Sequence, residues 1–197
     1  VSDSAGLGAI VLAAGASTRM GRPKASIRWR GATFVEHATM RARAAGCNPI
    51  VIVSGAVELA AVSDAIEVHN ARWPEGQLSS LQAGVRAVLA RAPTIGGCLI
   101  FTVDRPAVQQ ATVDALVAAW RSEPKGLWQP RHRGRSGHPM LYPADLLPAL
   151  LALAPDSSAR ELVRSEPVRT RRRMLDVDDA GVVLNVDTPE DLRELGS

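Results

Sequence analysis

The chain has 197 residues, 46% of them hydrophobic and 22% charged, with a formal net charge of +3. This is the balance of an ordinary globular protein, and the length suits one domain over residues 1–197 with its own hydrophobic core. The two cysteines, Cys47 and Cys98, lie far apart and outside any CxxC or Cys/His spacing. That excludes a disulfide framework and a structural zinc site, and it suits a reducing cytoplasm.

In chain order, the first apolar run extends from Leu7 to Ala16. It has no basic flank, carries Asp3 before it and is too short to span a bilayer, so it reads as a buried first strand instead of a signal peptide or membrane anchor. Strands are predicted at Ala9–Leu12, Ile50–Ser54, Ile66–His69, Cys98–Val103, Gly126–Gln129, Pro139–Tyr142 and Val182–Val186. The central ones are nearly continuous in apolar residues, the pattern of a sheet covered on both faces. Helical spacing appears in Leu78, Leu81, Val85, Val88 and Leu89, and again in Val113, Leu116, Val117 and Trp120. Leu146, Leu147, Leu150 and Leu151 form a third stripe. Ser158 with Glu161 has capping-box spacing, and Thr188-Pro-Glu-Asp191 opens another helix with a capping threonine, a first-turn proline and two acids. Alternating strands and helices predict a Rossmann-like three-layer α/β/α fold with a mainly parallel sheet.

The segment Leu12-Ala-Ala-Gly-Ala-Ser-Thr-Arg-Met-Gly-Arg-Pro-Lys24 follows the first strand directly, at the carboxyl edge where such sheets bind ligands. Its small residues let the backbone approach a ligand and leave amides free to donate, while Arg19 and Lys24 add positive charge. Those are the needs of a triphosphate, although the segment is neither a Walker A loop nor a GxGxxG fingerprint. Asp104 ends the apolar run from Cys98, where a carboxylate needs a partner: a metal ion, Arg105 or the start of the next helix. Asp187 sits at the same sheet edge and either shares that metal or assists the helix cap. His138, on the constrained turn Gly137-His-Pro139, lies beside Arg131, Arg133 and Arg135, a setting suited to an acidic substrate. The second basic cluster, Arg169, Arg171, Arg172 and Arg173, reads as a solvated face. With no triad spacing and no HExxH, hydrolase chemistry has little support. Nucleic-acid binding fares no better, since the basic residues lack aromatic interleaving and no long basic helix is present.

Taken in order, LAAGxSxRMGxPK, an Asp-x-Pro, GHP and NVDTPED resemble the MobA-like nucleotidyltransferases, and most closely the molybdenum cofactor cytidylyltransferases. The resemblance covers nearly the whole chain and includes Asn70–Gly84, similar to the family's segment near base and ribose. It implies attack of a molybdopterin phosphate on the α-phosphate of CTP, with pyrophosphate leaving and Mg2+ as cofactor. By similarity, Leu12, Ala13, Ala14, Gly15 and Ser17, with Ser79 and Ser80, would contact the nucleotide. Arg19 and Lys24 would hold the triphosphate, and Asp104 and Asp187 the metal, with Asn185 as a substitute for the second. Gly137 and His138, joined by Arg131 and Arg133, would face the molybdopterin. Ala14, where the guanylyl branch has a second glycine, favours CTP over GTP. The chain departs from the family at Arg105, where glutamine is usual, and at Ser26, where leucine is usual. A sugar phosphate or other small acceptor is the alternative substrate. A catalytically silent module that binds nucleotide and docks to a molybdoenzyme chaperone is the alternative of a different class.

Overall fold

A computed structural model describes residues 6–196. In chain order it contains β1 (Leu7–Leu12), the short hairpin β2 (Arg28–Trp29) and β3 (Ala32–Thr33), α1 (Phe34–Ala44), β4 (Ile50–Ser54) and β5 (Ile66–His69). Next come α2 (Gln77–Arg91), β6 (Gly97–Thr102), α3 (Gln110–Ser122), β7 (Leu127–His132), β8 (Arg135–Ser136) and β9 (Met140–Pro143). The chain closes through α4 (Leu147–Leu151), α5 (Ala159–Arg164), α6 (Val168–Arg171), β10 (Arg172–Asp176) and α7 (Pro189–Glu194).

The main sheet runs β10-β7-β9-β6-β1-β4-β5, with β8 paired to the outer part of β7. Neighbours are parallel except that β9 is antiparallel to both β6 and β7, and β8 is antiparallel to β7. Alternation along β1 explains the three layers. Ala9 and Val11 face α1 and α3 in one core, while Ile10 and Leu12 face α2, α4 and α5 in the other. Both faces are covered, so every residue of β1 and β4 is buried and the apolar run is continuous. Gly84 brings α2 down onto this sheet: a Cβ there would stand 2.6 Å from Ile10 Cγ2. A third, smaller core of Met20, Ile27, Trp29, Phe34 and Val186 fixes the hairpin and the segment before α7 beneath the loop that follows β1. Among the described residues no helix is long and apolar enough to cross a membrane.

Two expectations need correction. Val182–Val186 is no strand: a 3-10 turn spans Ala180–Val182 and the rest is irregular. Val182 and Val186 are buried in two different cores while Leu184 between them is exposed, and the backbone pairs with loops, Val186 N–H donating to the Asp104 carbonyl at 2.8 Å. The apolar pattern there reports burial and not sheet pairing. Conversely, the basic stretch read as a solvated face contains β10, an edge strand parallel to β7. Its arginines pair with groups beside the sheet, Arg173 with Glu123 and Arg172 with Gln129 Oε1, so their charge conceals an extended backbone.

Candidate functional site

The carboxyl ends of β1 and β6 converge on a cavity of about 410 Å³. Its floor is the loop after β1, with Leu12, Ala13, Ala14, Gly15 and Ser17 all in the lining. The loop is tied at its base by Ala13 N–H to Val53 O at 2.9 Å and Ala56 N–H to Ala14 O at 3.0 Å. Ser17 takes a left-handed turn, φ 54°, and its Oγ accepts from Lys24 N–H at 3.1 Å, folding the loop back so that Lys24 enters the cavity. Among the described residues, the amides of Gly15, Ala16 and Ser17 donate to no protein acceptor. Free amides in a tight turn are a setting for an anion.

Arg19, Lys24, Asp104 and Asp187 line the same cavity. Lys24 Nζ donates to Asp187 Oδ1, and Arg19 Nη2 stands 3.5 Å from that oxygen. The hydrogen bond from Lys24 comes first among the causes that hold the Asp187 carboxyl below the usual carboxylate range, with the charges of Lys24 and Arg19 adding to it. Asp187 N–H also donates to Asp191 Oδ2 at 2.7 Å, in the capping box that opens α7. Asp104 differs: among the described residues its Oδ1 is buried without a hydrogen-bond donor, and its nearest cation, Arg105 Nη1, is 3.7 Å away. The bond from Val186 to the Asp104 carbonyl brings these two acid-bearing segments side by side. Asn185, the other residue considered for this role, is exposed and outside the lining.

The serine pair divides its work. Ser80 lines the cavity, whereas Ser79 is buried beneath it, its Oγ 2.8 Å from Arg72 O and 3.0 Å from Asn70 Nδ2. Ser79 thereby fixes the turn Trp73–Glu75 to the start of α2.

A second cavity of about 710 Å³ adjoins the first and shares Leu12, Gly76 and Gln77 with it. His138 lies in its wall with an unpartnered Nδ1. Burial first, and the nearby Arg105 charge second, push its pKa down to about 4, so the ring is neutral at neutral pH. Gly137 allows the turn to pack: a Cβ there would lie 2.2 Å from Val182 O, the oxygen that accepts from His138 N–H at 3.0 Å. Arg131 and Arg133 line neither cavity. Arg131 forms a paired bond with Asp176 at 2.6 and 2.7 Å, and Arg133 occupies the exposed turn between β7 and β8 at φ 47°.

Sequence reasoning did not single out Thr102, Trp73, Gly76 and Gln77 in the first cavity, or Gln129, Tyr142, Arg160 and Arg164 in the second, and it read Arg172 there as part of a solvated face. Asn70–Gly84 had marked the segment holding Trp73, Gly76 and Gln77; of the others, only Arg160 and Arg164 share a segment, at helical spacing on α5, and the rest come from separate parts of the chain.

Comparison with known proteins bears on this architecture. The chain is 35% identical over 199 residues to "Nicotine blue oxidoreductase" of Paenarthrobacter nicotinovorans, covering 94% of each chain. It is 27% identical over 188 residues to the "Molybdenum cofactor cytidylyltransferase" of Escherichia coli (strain K12), covering 92% of this chain and 91% of that one. A protein of Mycobacterium tuberculosis H37Rv aligns with a TM-score of 0.76 and 28% identity over 97% of both chains. In its manganese complex the TM-score is 0.71, at 27% identity over 96% of this chain and 97% of that one. The model of the MobA-like NTP transferase domain matches residues 9–174, a span that includes both cavities' main walls. The loop after β1, the paired acids at the sheet edge and this match together make the chain a member of the MobA-like NTP transferase family.

Proposed function

We propose that the protein transfers CMP from CTP to the phosphate of molybdopterin, with a divalent cation, magnesium, as cofactor. The observation that carries the reading is the first cavity, where free amides, two cations and two carboxylates meet at the carboxyl edge of the sheet. The amides of Gly15, Ala16 and Ser17 hold nucleotide phosphate, and Arg19 and Lys24 neutralise the departing pyrophosphate. Ser80 and the start of α2 face the nucleoside. The acceptor enters through the second cavity, beside Gly137 and His138, so that its phosphate oxygen faces the α-phosphorus. A bond forms from that oxygen to phosphorus, and the bond to the bridging oxygen breaks, its electron pair leaving with pyrophosphate.

The residues present fit a metal. A buried carboxylate oxygen without a donor, Asp104 Oδ1, is costly unless a ligand satisfies it. Among the described residues no group of three or more His, Cys, Asp and Glu is set to hold a metal. One or two carboxylates completed by substrate phosphates are, however, a usual magnesium environment. Asp104 and Asp187 would hold the ion, which would supply Lewis acidity and orient the phosphates.

The test is pyrophosphate release with molybdopterin and either CTP or GTP, with and without magnesium. Magnesium-dependent release with CTP supports the reading. A preference for GTP, or for a sugar phosphate as acceptor, moves it within the family; CTP binding without turnover leaves a binding or delivery module.

The oxidoreductase name of one relative and the junction of the two cavities favour a second reading. A reduced nicotinamide nucleotide in the first cavity would pass hydride to a planar acceptor over Ile100, Met140 and Tyr142 in the second. Oxidation of NADPH by a planar dye, with no pyrophosphate release from CTP, would establish it in place of the first.

A further inference from the structure

The second cavity carries a charge that its neighbours do not cancel. Its lining contains Arg105, Arg160, Arg164 and Arg172 against a single acid, Glu75. Glu75 is already taken: Arg72 Nε and Nη2 hold its carboxylate at 2.6 to 3.0 Å. Among the described residues the Arg172 guanidinium is bonded only to neutral oxygens, Gln129 Oε1 at 2.6 Å and Ser136 Oγ at 3.2 Å. Arg105 is largely buried, its side chain 16% exposed, whereas Arg160 and Arg164 are exposed. Among the described residues its guanidinium donates only from Nη1 to Thr102 Oγ1 at 3.0 Å, and its Nε has no partner. A desolvated guanidinium with unused donors is costly, and a loose contact of 3.7 Å with Asp104 repairs little of that. Five donors in a planar fork suit an oxyanion better than any other ligand.

We propose that Arg105 and Arg172 select the acceptor by an oxyanion, a phosphate or a carboxylate, bound in the second cavity. Arg105 is then a specificity-determining residue. The cavity's apolar floor of Ile100 and Met140 takes the body that carries the anion. The proposal rests on the reading that the second cavity receives the acceptor, but not on which nucleotide fills the first.

The test uses the intact protein with magnesium and saturating CTP, titrated by calorimetry with naphthyl phosphate, naphthoate and naphthol. Both anions, or one of them, should bind about tenfold more tightly than naphthol, and inorganic phosphate should compete. Which anion binds better distinguishes phosphate from carboxylate. Arg105→Gln and Arg172→Gln should each weaken anion binding by roughly 10- to 100-fold, the usual effect of losing a charged hydrogen-bond partner, and leave naphthol unchanged. Arg105→Lys should retain part of the preference. Equal binding of all three probes, no binding of either anion, or an unchanged preference in both glutamine variants would overturn the proposal. Should Arg105→Gln not fold, Arg172→Gln and phosphate competition on the unaltered protein decide it. CTP binding is measured first by itself. If CTP does not bind but the anion preference persists, the nucleotide reading fails and the clamp stands.

Discussion

The two cavities are neighbours with opposite electrostatic designs. In the first, the cations are already matched, with Lys24 bonded to Asp187 and Arg19 close to the same oxygen. In the second, four arginines face one glutamate that is itself engaged by Arg72. A polyanion entering the first must compete with a carboxylate for Lys24, so it gains most when a cation engages that carboxylate in turn. An anion entering the second displaces no protein carboxylate from Arg172. Nucleotide binding should therefore depend on metal, and acceptor binding should not.

The strongest way to break this comparison is at the unpartnered acid. Asp104→Ala should lower turnover on the order of 10²–10³, as loss of an electrostatic element at a reacting phosphate does, with metal-free acceptor binding unchanged. Near-normal magnesium-dependent turnover in this variant would remove Asp104 from the metal site. Asp187→Asn should split the two ligands of the first cavity. It frees Lys24, so CTP without metal should bind roughly tenfold more tightly, while the metal's enhancement of binding shrinks. If metal-free affinity falls instead, Asp187 is not the competitor described.

Gly137→Ala sharpens the comparison from the other side. Its methyl would meet a backbone oxygen at 2.2 Å, so the turn must shift. The expected cost is about 1–3 kcal/mol in denaturant unfolding, with acceptor binding affected more than CTP binding. A smaller effect is expected at α7. Thr188→Ala should cost about 1 kcal/mol by losing the cap, and should weaken nucleotide binding through Asp187 while sparing the second cavity. In the same box, the backbone N–H groups of Asp187 and Thr188 hold the Asp191 carboxyl below its ordinary range. Because the folded value is the lower one, this contribution is fully present above the unfolded carboxylate range and fades as pH falls through the folded value. The stability difference between the protein and its Asp191→Asn variant should close over that acid interval. Least of all, Arg131→Ala with Arg133→Ala should change acceptor affinity by less than about twofold, since an exposed ion pair and a turn residue project little charge into the cavity. A larger effect would return the basic hairpin to the substrate wall.

Much of this was legible before any coordinates. The loop from Leu12 to Lys24 and Asp104 could be named because each follows a strand directly, and the edge where strands end is where ligands sit. Asp187, by contrast, follows an apolar run that is no strand and reaches that edge through the bond from Val186 to Asp104. The stripe Leu78, Leu81, Val85 and Val88 marked α2 because its spacing reports one buried face. The same logic failed at Val182–Val186, where burial without pairing imitates a strand, and at Arg172–Asp176, where pairing with charged side chains imitates a solvated surface.

What the sequence determined by itself, then, is whatever depends on neighbours along the chain: the strand and helix periods, the caps, the phosphate-type loop and the resemblance these motifs carry. The pairing of Lys24 with Asp187, separated by 163 positions, was decided only by tertiary structure. So was the meeting of Arg105 with Arg172 in one cavity wall, and the isolation of Arg131 from it. The reason is physical. Periodicity and capping act over one or two turns of backbone, whereas the charge of a cavity is a sum over side chains that only sheet order and crossover connections bring together.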